Sequence, residues 1–445
     1  MRLTVEAFWR SDWRECGTIE ILDAQLGYRG PSIVEYDIDY FANFAAADYS
    51  ANGEVGDARA MSVRFPVDLE SRYLATWPPF LLDLMPQGHA RRKLAEHLGL
   101  HVDDRESDLP LLLRAAGSPV GNVRIKQAAE AERERLKNVT RTGVTEDDIF
   151  NRSEKFIEVV DRFGLIASGS SGLQGEWPKV ALTQAVDGLY YPDAFVKDDE
   201  AIRHVIVKLL RSSNERDRLI LEAESGYSRV AKDLGLRVHE VSAYEQGVLM
   251  IPRFDREIQG GLLCRFGQES MVSSIGVAQF GHNADHEDYV NVLKRHSDQP
   301  FIDIVEYAKR DLTNRAMGNP DNHGRNTALR KTPGGGITLA PLFDFAPMRL
   351  AIEGIARSTR WGVMRDTHRD SDPDWGQVCR AVFMEDERAA AALLEEMATF
   401  AERLANAPKI SLAMGVPAEV VDFAMSGCAE LVGKVLDAAA SAPGV

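Results

Sequence analysis

Asp344 stands inside an apolar run, Leu342-Phe343-Asp344-Phe345-Ala346, and no other position constrains the fold as much. A carboxylate in that setting is costly unless it meets a partner. Directly upstream, Thr327-Ala-Leu-Arg330, then Gly334-Gly-Gly336, then Ile337-Thr-Leu-Ala340 reads as a β-hairpin. Ahead of the hairpin comes a polar, loop-like stretch, Asn319-Pro-Asp-Asn-His-Gly-Arg-Asn326, in which Asp321 and Asn326 are five apart. A divalent cation would give Asp344 its partner. Magnesium prefers oxygen ligands and usually combines one or two protein groups with phosphates and waters. One Asp beside the attacking hydroxyl, an Asn five residues on for metal, and a second metal-holding Asp after a hairpin is what phosphoryl transfer needs. A turn-rich loop would carry the letters DxxxxN by itself; the hairpin and Asp344 separate the two readings.

Two upstream residues extend the pattern. Lys208 ends the strand-like run His204-Val-Ile-Val-Lys208. It can simply snorkel at a strand edge, or it can hold nucleotide phosphates. Glu224 lies sixteen residues later on a helical segment. Helical glutamates are mostly solvated, but a partner that orients a phosphate-binding lysine is a required part of a kinase. Before these strands lies Ser168-Gly-Ser-Ser-Gly-Leu-Gln-Gly-Glu-Trp-Pro-Lys179. Its glycines permit close backbone approach and amides aimed at an anion. It matches neither the Walker A pattern nor GxGxxG, so a flexible loop is the plain alternative.

Around this core the chain alternates structure types. Thr18–Leu22 reads as a strand, Ser62–Pro66 as an edge strand, and residues 78–117 as mostly helical. Residues 127–137 alternate Glu and Arg, as in a solvated helix or linker. Thr145 with Asp148 resembles the capped start of a helix running to about Phe163. Short strands follow at 178–182, 194–196, 204–209 and 247–251, interrupted by a helix over 216–234 that Gly235 closes. Beyond residue 265 helices dominate outside the hairpin.

Composition narrows the function. With 52 Lys+Arg against 68 Asp+Glu the formal charge is −16, which argues against broad binding to nucleic acid or to an anionic membrane. No apolar stretch approaches a membrane span, the first residues lack a signal-peptide centre, and Cys16, Cys264, Cys379 and Cys428 form no CxxC pair. The expectation is a soluble protein of a reducing cytoplasm.

Six segments in order resemble the HipA family of bacterial serine/threonine kinases, the toxin half of type II toxin–antitoxin pairs: SGLQGEWPK (171–179), HVIVKL (204–209), AESGYSRVAKDLGL (223–236), PRFDR (252–256), DNHGRN (321–326) and LAPLFDFAP (339–347). The segment FLLDLMPQGHARRKLAEHLGL (80–100) also resembles the family's N-terminal subdomain. The resemblance implies an α+β fold, bilobal and protein-kinase-like, with an extra N-terminal α/β subdomain (1–140), a nucleotide-binding N-lobe (141–255) and a mostly helical C-terminal lobe (256–445). Carried over by motif, Asp321 accepts the substrate hydroxyl proton. Asn326 and Asp344 hold magnesium, and Lys208 contacts the ATP phosphates with Glu224 as its partner. Met250, Ile251, Arg253 and Phe254 fall where adenine is gripped, and Gly172, Gln174 and Gly175 lie in the phosphate loop. His323 either helps position substrate or is structural. Ser168, Ser170 and Ser171 are candidates for inhibitory autophosphorylation, since a phosphoserine adds about −1.5 to −2 charges and competes with ATP phosphates.

The implied partners are a HipB-like helix-turn-helix antitoxin, with DNA reached only through it, and a protein substrate, aminoacyl-tRNA synthetases being known targets in the family. No membrane is expected. The chain departs from the better-known members at Asn322, where Gly is usual, and at Arg325, where Lys is common. Two other functions fit the same fold: a catalytically quiet antitoxin-binding member, and a small-molecule kinase.

Overall fold

The structure, a computed structural model, describes residues 1–164, 177–364, 371–384 and 386–441. They gather into two compact units that interleave along the chain. The first holds Met1–Arg211, Met250–Phe280 and Leu329–Ile337; the second holds Ser212–Leu249, Gly281–Ala328 and Thr338–Val445.

The first unit opens with a five-stranded antiparallel sheet in the order Arg72–Leu74, Ser32–Tyr36, Asp12–Ile21, Arg2–Trp9, Val123–Ile125. Alternation builds it: Leu3, Val5 and Ala7 are buried together with Ile19, Ile21 and Val34. The predicted strand at Thr18–Leu22 is the end of the long Asp12–Ile21 strand. Ser62–Pro66 is not a strand. Phe65 N–H donates to the Ser62 carbonyl (3.1 Å), closing a turn, because the buried Glu269 carboxylate accepts from Ser62 Oγ and from Val63 N–H. The charged segment forms the helix Lys126–Leu136, with Glu132 buried.

The predicted helix from Thr145 to Phe163 is two helices. Thr145 and Asp148 do form a capping box for Glu146–Phe150. The chain then breaks at Arg152, φ +51°, and Ser153 Oγ accepts from Phe156 N–H (3.2 Å), starting Glu154–Gly164 afresh. A second sheet follows, with Tyr190–Pro192, Lys179–Ala185 and Ala201–Leu209 antiparallel and then the Met250–Pro252 end of the strand Val248–Pro252. Residues 194–196 are not a strand; Asp193–Phe195 is a single 3-10 turn. Its Asp193 carboxylate is drawn inward by Arg256 Nη1 (2.6 Å) and Arg253 Nη1 (3.2 Å). Asp255 completes this buried cluster, accepting from Arg253 Nη2 (2.6 Å) and from Gly121 N–H (2.9 Å), while both arginines donate to the Pro119 carbonyl. Two arginines meet two aspartates, so the charges cancel in a place where an unpaired one would be very costly.

The second unit is mostly helical: Glu215–Asp233, His286–His296, Pro300–Ala316, Trp375–Val382, Glu387–Leu404 and Cys428–Ala440 are its longer elements. Asn214 caps the first by accepting from Arg216 N–H (2.8 Å), and Gly235 ends it at φ +87°. Leu312, Val378, Leu393, Met397 and Val435 are fully buried in its core. The hairpin forms as expected, from Ala328–Lys331 and Ile337–Leu339. Among the described residues no helix is long and apolar enough to cross a membrane.

Candidate active site

In the second unit the helix Pro300–Ala316 runs straight into the DxxxxN loop. Gly318, at φ +69°, makes the turn. Asn319 is buried and ties the loop back to the helix, its N–H donating to the Asn314 carbonyl and its Nδ2 to Asn314 Oδ1, both at 2.7 Å. Asn319 Oδ1 then accepts from Asp321 N–H (3.2 Å). Asn326 Nδ2 donates to the Asp321 carbonyl (2.9 Å), joining the two ends of the motif. His323 Nδ1 accepts from Arg325 N–H (3.2 Å), so the ring proton sits on Nε2, 3.6 Å from Asp321 Oδ1. The Asp321 side chain is 30% exposed, and therefore reachable by a substrate.

The segment beyond the hairpin is fixed by buried polar contacts. Leu339 N–H donates to Asp303 Oδ2 (2.7 Å), Arg310 Nη1 to the Ala340 carbonyl (2.8 Å), and Leu342 N–H to the Arg237 carbonyl (2.7 Å). Asp344 follows at φ +52°. That region costs an L-residue with a side chain roughly 1–2 kcal/mol, and such strain concentrates at functional sites.

These residues suit magnesium. Asn326 uses its Nδ2 within the loop, which leaves Oδ1 as the oxygen donor, and Asp344 supplies a carboxylate. Among the described residues no group of three or more His, Cys, Asp or Glu could hold a metal alone. A magnesium ion would therefore complete its shell with phosphate and water oxygens, its usual habit.

In the first unit, Lys208 is 2% exposed near the end of the strand Ala201–Leu209, its Nζ 5.3 Å from the centre of the Trp177 ring. Arg211 lies over the same ring at 5.1 Å. Lys179 is the cross-strand partner of Lys208. The register thus sets two lysines side by side on one face of the sheet. Sequence reading missed Lys179, although it closes the quoted SGLQGEWPK segment; only the strand register pairs it with Lys208. Met250 is buried on the strand Val248–Pro252, and Ile251 and Phe254 are half-buried.

Arg253, expected against the nucleotide, has its guanidinium fully buried between Asp193 and Asp255. Glu224 is buried on the helix Glu215–Asp233 of the second unit. Ser168, Ser170, Ser171, Gly172, Gln174 and Gly175 lie outside the described residues.

An Asp-x4-Asn loop, a hairpin and a strained Asp beyond it, in an α+β chain, belong to the kinase-like class of folds. The HipA-like C-terminal domain matches residues 171–404, more than half of the chain, and the chain belongs to that family. Its fold is that of HipA from Shewanella oneidensis MR-1, solved in a complex of the toxin–antitoxin proteins HipA and HipB with operator DNA. The TM-score is 0.65 at 16% identity, covering 99% of this chain and 100% of that one. A Sinorhizobium fredii protein named "Putative kinase Y4mE" is 26% identical over 281 residues, 60% of this chain; the match spans 63% of that relative's length.

Proposed function

We propose that the chain is an ATP- and magnesium-dependent serine/threonine protein kinase, the toxin of a HipA/HipB-like pair acting in the cytoplasm. The observation that carries this reading is the Asp321–Asn326 loop, cross-linked by the 2.9 Å bond from Asn326 Nδ2 to the Asp321 carbonyl and followed through the hairpin by Asp344 at φ +52°. In this reading 1–140, 141–255 and 256–445 serve as N-terminal, nucleotide-binding and catalytic parts. The substrate hydroxyl oxygen attacks the γ-phosphorus as its bond to the ADP oxygen breaks, and Asp321 takes the hydroxyl proton. The His323 Nε2 proton faces Asp321 and steadies its carboxylate. Lys208 and Lys179 hold the phosphates, with Glu224 orienting Lys208, while Met250, Ile251 and Phe254 line the adenine position. Bound magnesium, held by Asn326 and Asp344, would neutralise charge on the phosphate oxygens.

The partners in this reading are a HipB-like helix-turn-helix antitoxin, through which DNA is reached, and a protein substrate of the aminoacyl-tRNA synthetase kind. Phosphorylation of Ser168, Ser170 or Ser171 would switch the enzyme off.

The test is transfer of labelled phosphate from ATP to protein in cell extract. Asp321→Ala and Asp344→Ala are each expected to abolish transfer while circular dichroism and melting temperature stay close to wild type. Normal turnover in either variant sinks the assignment, and label appearing in metabolites alone would make the chain a small-molecule kinase.

A further inference from the structure

The loop that carries Asp321 has a second anchor, deeper than its tie to Asn314. Asp311 lies on the helix Pro300–Ala316 and is 1% exposed. Its Oδ2 accepts from Arg315 Nε and from Trp361 Nε1, both at 2.9 Å. Its Oδ1 accepts from Asn322 Nδ2 at 3.3 Å and lies 3.4 Å from His286 Nε2. His286 is itself held, with Nδ1 2.6 Å from the Tyr307 hydroxyl oxygen and its ring centre 4.6 Å from that of Trp361. Four segments of the second unit thus converge on one carboxylate, and one of them is the residue next to Asp321.

We propose that Asp311 is a positioning residue for the catalytic loop, acting through Asn322 to fix the direction of the Asp321 carboxylate. The inference rests on the reading of Asp321 as the proton acceptor. Burial alone would push the Asp311 carboxyl up, but Arg315 beside it, with His286 and Arg357, holds it well below the usual carboxylate range. Asp311 therefore stays an anion, and an anion is the stronger acceptor for the Asn322 amide. Rotation of the backbone between Asp321 and Asn322 would swing the acceptor away from the hydroxyl. Misplacement by about 1 Å costs on the order of a hundredfold in rate.

Asn322→Ala tests this without emptying the buried cluster, because Arg315, Trp361 and His286 remain around Asp311. Relative to an active wild type, kcat for phosphate transfer is expected to fall about tenfold or more, with KM for ATP within about twofold. Melting temperature should hardly move, which a purely structural role would not explain. Amide hydrogen exchange across residues 321–326 should quicken in Asn322→Ala and in Asp311→Asn, whether or not the protein is active. Unchanged loop exchange, or an unchanged kcat in Asn322→Ala against an active parent, overturns the proposal. A wild type that transfers no phosphate sinks the kinase reading by itself, and the exchange result still decides the anchor.

Discussion

His204 shows how one proton can matter in a neutral interior. Its side chain is 5% exposed, with Nδ1 2.8 Å from Thr183 Oγ1 and 3.4 Å from Asp193 Oδ1. Burial pushes its pKa down from 6.5 to about 4; Asp193 pulls it back up, while Arg256 adds to the depression. Burial is the larger cause, and Asp193 offsets it only in part because Arg253 and Arg256 already share that carboxylate. Between about pH 6.5 and 4 the unfolded chain binds this proton and the folded chain refuses it, so stability falls as pH drops through that window. From about pH 7 to pH 5 the loss from this one group is about 2 kcal/mol. Urea denaturation at the two pH values measures it, and His204→Gln should remove most of the difference. Asp255, which its arginine partners hold down at about 2 against the pull of burial, acts in a separate window: its contribution is present above about pH 4 and fades only as pH falls towards 2. An unchanged pH 5 to 7 difference in His204→Gln would place the sensitivity in another group.

At the scale of elements, the helix-to-loop junction is set by Gly318. It adopts φ +69°, and a Cβ there would lie 2.6 Å from the Ala424 carbonyl oxygen. Its own carbonyl accepts from Arg349 N–H at 2.9 Å, joining the loop start to the segment after Asp344. Gly318→Ala meets both backbone strain and a backbone clash, so a loss of about 2–4 kcal/mol is expected in chemical denaturation, with slower phosphate transfer alongside. A variant as stable as the parent would show that this turn tolerates a side chain. The elements that sequence pattern revealed were those whose cause is local: the alternating strands, the Thr145–Asp148 box, the Gly235 helix end and the glycine hairpin. The misread strands share a distant cause. The turn at Ser62–Phe65 answers to Glu269, and the 3-10 turn at Asp193–Phe195 answers to Arg253 and Arg256. No pattern within a short window contains those partners. Asp311 escaped for the same reason, since in sequence it is an ordinary helical Asp four residues before an Arg. Asn322, by contrast, stood out early as a departure from glycine, and its amide turns out to be the loop's link to that buried Asp.

Across the whole molecule the chain passes between its two units five times, and the hairpin after the DxxxxN loop makes two of the crossings. The loop motif was readable because its spacing is local, whereas Lys179 became visible only once strand register paired it with Lys208. That pairing bears on the charge of −16. If the chain is the kinase proposed above, a triphosphate would approach a protein that repels it on average, and its binding would depend on the local cations Lys179, Lys208 and Arg211 and on metal that masks phosphate charge. ATP should therefore stabilise the chain strongly only when magnesium is present. At about a hundredfold over Kd the Mg-ATP gain would be about 2.7 kcal/mol, read as a rise in melting temperature that ATP with a chelator does not reproduce. Asp344→Ala should lose the magnesium-dependent part of that rise and keep whatever part the lysines alone supply. Equal shifts with and without chelator would mean that the cationic face binds nucleotide unaided, and that the strained carboxylate at Asp344 serves something other than a metal.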